Sequence, residues 1–501
     1  MHPLRPSILL SAILYATQVS LALHIDHSRR SEDSLPNLLT RAPNATSGLD
    51  ITGGSYYINI TLGGKHFSVM IDTGSSDLWV AGTVPNANST GASAQVQYAI
   101  GAINGPVKTA EMTMLGYTVP NQAFIEATPS TANPDGTGLI GLGPRFGSQV
   151  LGALNKSTGD PPIDRIFSQD TSIPNFISVL LSRPNDTSEP YTGEMTISEI
   201  LPEFQNISSQ PKVSVSVLTS KIEDDQHFSV LLDADGIIGP DGNAIKTTSN
   251  ASLAPTHNPQ QLQVVFDTGF SLPQLPEYVV DAIYSGVKGA QLIDVPAFGG
   301  NVWGVDCDAE INVTFKIGGQ SYPIHPLDVS REVVDNNGES ACYGTFQPVI
   351  SGAQDPTFDG ILGMTFLSNV YLLLDYGDFT DGSTNTTDPY VQILSTTNPA
   401  EAHADFVATR LSGKDTTGSQ HVNSGSGSNS GFFHKYRIPI FAAAAVAGVA
   451  ALTGVVWLVA KRRKPVYRPL YDPAPVGDMP MQNVTGYGAG APYSDPWTNR
   501  R

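Results

Sequence analysis

The stretch Val69-Met70-Ile71-Asp72-Thr73-Gly74-Ser75-Ser76 has a counterpart about 195 residues later, Val264-Val265-Phe266-Asp267-Thr268-Gly269-Phe270-Ser271. In each copy three apolar residues lead into Asp-Thr-Gly, and Ser stands at the fifth position counted from Asp. One Asp-Thr-Gly is a cheap tripeptide. A pair with the same apolar lead is much rarer, and the spacing suits a duplicated lobe. Apolar strand residues would deliver each Asp to the end of a strand. The Gly lets the chain turn and brings backbone N–H groups close to the carboxylate. If the two turns face each other, the carboxylates lie about 3 Å apart and cannot both ionise cheaply, so one proton is shared. An acid and a base then coexist in one site. The charged member can take a proton from a water held between them, and the protonated member can donate to a carbonyl oxygen. The apparent pKa values belong to the pair, not to either residue.

Around these segments, residues 51–400 carry short or alternating apolar runs such as Tyr56 to Ile60 and Val213 to Leu218, broken by Gly, Pro, Asn and Asp. With 48 Gly and 37 Pro in 501 residues, the pattern predicts an all-β body. The 27 Lys and Arg against 46 Asp and Glu give a net charge of −19, which argues against nucleic acid as a partner. The acid surplus fits work in an acidic medium, but plain solubility is the better account of it. No His-Glu-x-x-His stands in the chain and its ten His show no ligand spacing, so no metal or cofactor is expected.

The ends point to export and a membrane. Residues 1–22 have the form of a signal peptide: His2 and Arg5 precede the apolar run Ile8 to Tyr15, and Ser20-Leu21-Ala22 resembles a cleavage site. Export favours a disulfide between the two cysteines, Cys307 and Cys342, over two free thiols. The charge-free run Ile438 to Ala460 would span roughly 34 Å as a helix. Lys461-Arg462-Arg463-Lys464 follows at once, which places the large N-terminal portion outside or in a lumen. Nine Asn-x-Ser/Thr sites, at Asn44, Asn59, Asn88, Asn155, Asn185, Asn206, Asn250, Asn312 and Asn385, all fall on that side as candidate glycosylation sites. A tenth at Asn483 falls on the cytoplasmic side and should be bare. Residues 23–50, with Arg29-Arg30 and Arg41, read either as a short pro-segment or as an ordinary loose N-terminus. The Ser/Gly/Asn repeats at 424–431 predict a stalk, and Tyr467-Arg468-Pro469-Leu470 in the tail is a weak sorting-type pattern.

Over residues 50–400 the chain resembles the pepsin-like aspartic proteases, especially their membrane-anchored fungal members. The resemblance rests on the paired Asp72 and Asp267 motifs and on Asp77-Leu78-Trp79-Val80. It rests also on Thr137-Gly138-Leu139-Ile140-Gly141-Leu142-Gly143 and Phe358-Asp359-Gly360-Ile361-Leu362-Gly363. It implies a bilobal pepsin-like fold in which the last two segments cross behind the catalytic loops, with Gly141 and Gly363 permitting close backbone approach. It implies that Asp72 and Asp267 are catalytic, that Thr73 and Thr268 interlock the loops beside Gly74 and Gly269, and that Ser75 hydrogen-bonds Asp72. Cys307 and Cys342 match the family's second-lobe disulfide. Gln97-Tyr98-Ala99-Ile100-Gly101 stands where the family has a flap, which makes Tyr98 the flap tyrosine and Trp79 its partner. The bland alternative for Tyr98 is an ordinary strand aromatic.

The implied layout is signal peptide 1–22, pro-segment and extension 23–50, N-terminal lobe 51–210, C-terminal lobe 211–400, stalk 401–437, transmembrane helix 438–460 and cytoplasmic tail 461–501. The implied activity is endopeptidase cleavage of peptide or protein substrates by a zymogen-derived, single-pass type I membrane glycoprotein. It would act as a monomer at a cell surface or the luminal face of an acidic compartment. Two departures from the family support a rival reading, an inactive protease-fold ectodomain that binds or adheres. Phe270 stands where the family has Thr or Ser, and Ala99-Ile100 stands where it commonly has Gly and a polar residue.

Overall fold

The apolar run ahead of Asp72 forms the strand Lys65–Asp72, whose last four residues are all buried. Its neighbour Ser55–Leu62 alternates, with Tyr56, Ile58, Ile60 and Leu62 inside and Asn59 exposed, as a sheet with one solvated face requires. These features come from a computed structural model that describes residues 46–420, except 53–54, 99–100, 184–192, 296–299, 335–339, 350–356 and 381–386. The signal and processing sites, the apolar run 438–460, the tail, and Asn44, Asn185, Asn385 and Asn483 lie outside the described residues. Among the described residues no helix is long and apolar enough to cross a membrane.

Two sheets repeat one topology. In the N-terminal half Lys65–Asp72 runs parallel to Thr137–Gly141, which is antiparallel to Leu78–Ala81, which is parallel to Tyr117–Ala127. In the C-terminal half Gln263–Phe266 runs parallel to Gly360–Leu362, which is antiparallel to Gln274–Leu275, which is parallel to Gln347–Pro348. The order along the chain is the same in both halves, so the duplicated motif is the visible part of a duplicated lobe. The body is predominantly β.

A third sheet joins the halves. Phe176–Leu180 pairs antiparallel with Val370–Asp375, and the sheet extends on one side through Glu194–Ile197 to Thr46–Gly48 and on the other through Tyr390–Ser395 to Val213–Ser214. This revises three boundaries. Thr46–Gly48, read as part of the N-terminal extension, is a strand of the body because it supplies the edge partner of Glu194–Ile197. The run from Val213 to Leu218 pairs only over Val213–Ser214, and from Val215 its backbone bonds go to Pro389 and Ser229 instead. Residues 401–420, read as stalk, are docked on the C-terminal lobe. There Pro399–Arg410 is a helix capped by Asn398 and burying Ala402 and Phe406. Gln420 continues the attachment, accepting from the Glu310 N–H and donating to the Asp308 carbonyl.

The disulfide Cys307–Cys342 closes a loop of 35 residues. Arg410 covers it, its guanidinium 2.7 Å from the Cys342 sulfur and 3.1 Å from the Ser330 carbonyl. Chain-entropy restriction for a loop of this length stabilises by about 4 kcal/mol. A Cys307→Ser/Cys342→Ser variant is therefore expected to unfold at a clearly lower urea concentration. An unchanged midpoint would show that the crosslink constrains nothing in the unfolded chain.

Candidate active site

Asp72 ends its strand because the next residues turn. The Gly74 N–H donates to Asp72 Oδ1 at 2.9 Å, and the Ser75 hydroxyl donates to Oδ2 in a short bond. The second copy does the same with its glycine: the Gly269 N–H donates to Asp267 Oδ1 at 2.7 Å. Behind each turn the crossing segment holds the backbone. The Leu142 N–H donates to the Asp72 carbonyl at 2.7 Å, and the Asp267 N–H donates to the Leu362 carbonyl at 3.1 Å.

The two turns are bonded face to face through their threonines. The Thr268 N–H donates to Thr73 Oγ1 at 3.0 Å, and the Thr73 N–H donates to Thr268 Oγ1 at 3.1 Å. Each hydroxyl passes its own proton across, Thr73 to the Phe266 carbonyl and Thr268 to the Ile71 carbonyl. Four reciprocal bonds, fully buried, fix the separation of the halves where it matters. The Asp72 and Asp267 side chains, both completely buried, are in hydrogen-bond contact with each other. Burial is the main influence on Asp72 and raises its pKa to about 6. The Ser75 hydroxyl, the Gly74 N–H, the Asp267 side chain and the charge of His227 oppose that rise.

The glycines behind the turns are sterically required. A Cβ on Gly141 would lie 2.4 Å from the Ser76 carbonyl carbon, and one on Gly363 would lie 2.2 Å from the Phe270 carbonyl oxygen. That oxygen cannot retreat, because it accepts from the Met364 N–H at 2.8 Å. Gly363→Ala is expected to cost about 3 kcal/mol and to displace the Asp267 turn, lowering activity as well as the urea midpoint. A wild-type midpoint would mean that the turn yields without strain.

Trp79 and Tyr98 meet as expected from the resemblance: the indole N–H donates to the Tyr98 hydroxyl at 2.8 Å. Both are buried in a cluster with Met70, Val96, Ile103 and Ile125, so Tyr98 is tied to the strand that carries Asp72. The hairpin is closed by the Tyr98 N–H and the Gln97 amide, which both donate to the Gly101 carbonyl. Its tip, Ala99-Ile100, lies outside the described residues. Phe270 is buried against Val265 and Ile361, with Phe358 packed on the group, so the residue opposite Ser75 in the duplicated pattern brings apolar contact and no hydroxyl.

Two functional positions escaped the sequence reading. Asp77, quoted only as part of a motif, is buried and anchors the helix Gln149–Leu154. It accepts from the Ser148 hydroxyl at 2.6 Å and from the N–H groups of Gln149 and Val150. Asp359 has the matching task in the other half, accepting from the Ser249 hydroxyl and from the N–H groups of Asn250 and Gln263.

A family model described as "Eukaryotic aspartyl protease" matches residues 55–90 and 83–384. Major aspartyl peptidase 1 of Cryptococcus neoformans is 28% identical over 359 residues, covering 66% of this chain and 67% of that protein. Cathepsin D of Dictyostelium discoideum is 24% identical, covering 74% of this chain and 96% of its own length. Probable vacuolar protease A of Trichophyton verrucosum is 26% identical, covering 65% and 77%. The crystal structure of the aspartic proteinase from Irpex lacteus superposes with a TM-score of 0.51 at 19% identity, covering 70% of this chain and 97% of that one, which supports the shared fold. The chain belongs to the pepsin-like eukaryotic aspartyl protease family and is an enzyme of the aspartic endopeptidase type.

Proposed function

We propose that Asp72 and Asp267 are the catalytic pair of a membrane-anchored endopeptidase acting on peptide or protein substrates outside the cell or in a lumen. The observation that carries this reading is the contact between two fully buried carboxyl groups on turns locked together by Thr73 and Thr268. Two such groups share one proton. The ionised partner takes a proton from water as that water attacks the peptide carbonyl, while the protonated partner donates to the carbonyl oxygen. No acyl-enzyme forms. Tyr98, hydrogen-bonded to Trp79, closes over the substrate from the hairpin. Purified ectodomain incubated with a mixed peptide library from pH 3 to 7, beside an Asp267→Ala control, tests the assignment. Cleavage by the wild type alone is expected, and equal cleavage by both would end it.

The anchor is the charge-free run 438–460 with its basic stop, entering the membrane after the docked helix and a short stalk. Exposure of the sequon residues Asn59, Asn88, Asn155, Asn206, Asn250 and Asn312 suits glycosylation of that outer side. The reading includes removal of a signal peptide and processing at Arg29-Arg30. It places the monomer at a cell surface or in an acidic secretory or vacuolar compartment.

Phe270 favours the second reading, a weak or inactive protease fold used for binding. Phe270→Thr would supply a hydroxyl to the ionised form of Asp267, a bond of about 1.5–3 kcal/mol in such settings. The acid limb of kcat/KM is expected to move to lower pH, while loss of apolar burial lowers stability by about 3 kcal/mol. An unchanged pH–rate profile would show that the hydroxyl is immaterial at this position.

A further inference from the structure

The backbone behind Asp72 is tied to its turn at every step. The Gly141 N–H donates to the Asp77 carbonyl at 2.9 Å, the Leu142 N–H to the Asp72 carbonyl at 2.7 Å, and the Gly143 N–H to the Ser75 carbonyl at 2.7 Å. The Ser76 hydroxyl returns a bond to the Pro144 carbonyl at 2.6 Å. One group of this strap bonds outside its own half. The Leu142 carbonyl accepts a short bond from the hydroxyl of Tyr376, 234 residues further along the chain. The matching carbonyl of the second half, that of Met364, is satisfied locally. It accepts from the Ser368 N–H and the Ser368 hydroxyl, both at 2.8 Å, at the end of the helix Met364–Leu367. Leu142 leads instead into Pro144 and the single turn Arg145–Gly147, so its peptide is held from across the molecule.

Tyr376 follows directly on Val370–Asp375 of the joining sheet and is completely buried. Its N–H donates to the Asn175 carbonyl at 3.0 Å, and the Asn175 amide donates to the Gly377 carbonyl at 2.7 Å. Its ring meets Phe228 edge-on at 5.0 Å and Phe167 at 5.4 Å. Phe228 leads to the other carboxylate, because its carbonyl accepts at 3.3 Å from the N–H of Phe266, the residue before Asp267. Burial raises the Tyr376 pKa well above the ordinary phenol value, and the charge of Asp164 acts in the same direction. The hydroxyl therefore keeps its proton and is the donor to Leu142.

We propose that Tyr376 is a positioning residue for the aspartate pair, its hydroxyl setting Asp72 through the Leu142 peptide and its ring setting Asp267 through Phe228. This rests on the catalytic role proposed above for the pair. The threonine bonds hold the two turns together at their tips. The Asp72 peptide is held from behind by Leu142, and Tyr376 stops the Leu142 peptide from rotating. Contact between two carboxyl groups is sensitive to such a rotation. A displacement of about half an ångström at a spacing near 3 Å changes their mutual interaction by roughly half a pH unit.

Tyr376→Phe keeps the ring and removes only the hydroxyl. With the pair misplaced, kcat is expected to fall about ten-fold and KM to stay within about two-fold. The bell-shaped pH profile of kcat/KM should narrow by about half a pH unit, because its limbs report the two apparent pKa values of the pair and a looser pair repels less. A loss of equal factor at every pH, with the width unchanged, would reduce the hydroxyl to a stabilising role and overturn the proposal, as would wild-type kinetics. A second measurement does not need activity. In protein with isotope-labelled aspartate carboxyls, the two titration midpoints of the pair should move toward each other in Tyr376→Phe, and an unchanged separation overturns the positioning role. If Tyr376→Phe fails to fold, Phe228→Leu disturbs the ring path with the hydroxyl kept. The same convergence is expected there, and its absence overturns the proposal. If the wild type cleaves no peptide while the midpoints converge, the positioning role stands and the endopeptidase reading is the one that fails.

Discussion

Asp267→Asn is expected to lower kcat/KM by about a thousand-fold or more while leaving the fold intact. Positioned acid–base groups contribute on the order of 10²–10⁴ each, and here one substitution removes both functions. The amide can still accept from the Gly269 N–H, so the turn keeps its internal bond. The four threonine bonds between the halves do not involve the carboxylates and persist. What disappears is the shared proton. Asn can neither take a proton from water nor pass one to a carbonyl oxygen, and Asp72 alone cannot be acid and base in the same step. Burial also raises Asp72 above the usual carboxylate range, so without its partner it is a poor base at low pH. The check is kcat/KM on a fluorogenic peptide at the wild-type optimum, with circular dichroism to confirm folding. A folded variant with less than a ten-fold loss would mean that the water is activated elsewhere.

The part of this site that could be read from residues is the part that repeats. Three apolar residues before Asp-Thr-Gly announce a strand ending in a turn, and that is what Lys65–Asp72 and Gln263–Phe266 do. The parallel partners Thr137–Gly141 and Gly360–Leu362 are implied by the family resemblance, and the structure supplies the reason for their glycines: a Cβ on Gly141 or Gly363 would collide with the backbone of Ser76 or Phe270. The joining sheet was not visible. Phe176–Leu180 and Val370–Asp375 are both simple buried runs, and nothing local states that they pair with each other across the molecule. The helix Pro399–Arg410 was missed because it buries little beyond Ala402 and Phe406, too few for a helical period to stand out.

The same burial that tunes the pair should make the protein less stable as the medium becomes neutral. Asp72 has an ordinary carboxyl pKa of 3.8 when unfolded and about 6 when folded. Between those values the folded state binds more protons than the unfolded one, so stability falls as pH rises through the window. The contribution is fully present below about pH 4 and lost above about pH 6, a swing of roughly 3 kcal/mol. Asp77 is raised by burial too and acts in the same direction. His403, raised chiefly by Glu310 across the docked C-terminal helix, also loses its favourable charge as pH rises. Urea midpoints are therefore expected to be higher at pH 4.5 than at pH 7. The chain's net charge of −19 could produce a similar trend through general repulsion at neutral pH. Asp72→Asn separates the two causes, because it changes that total by one charge and removes the raised carboxyl entirely. Its stability should depend on pH markedly less than that of the wild type between pH 4 and 6. If both proteins lose stability equally across that interval, diffuse repulsion and not the buried pair is what destabilises the neutral form.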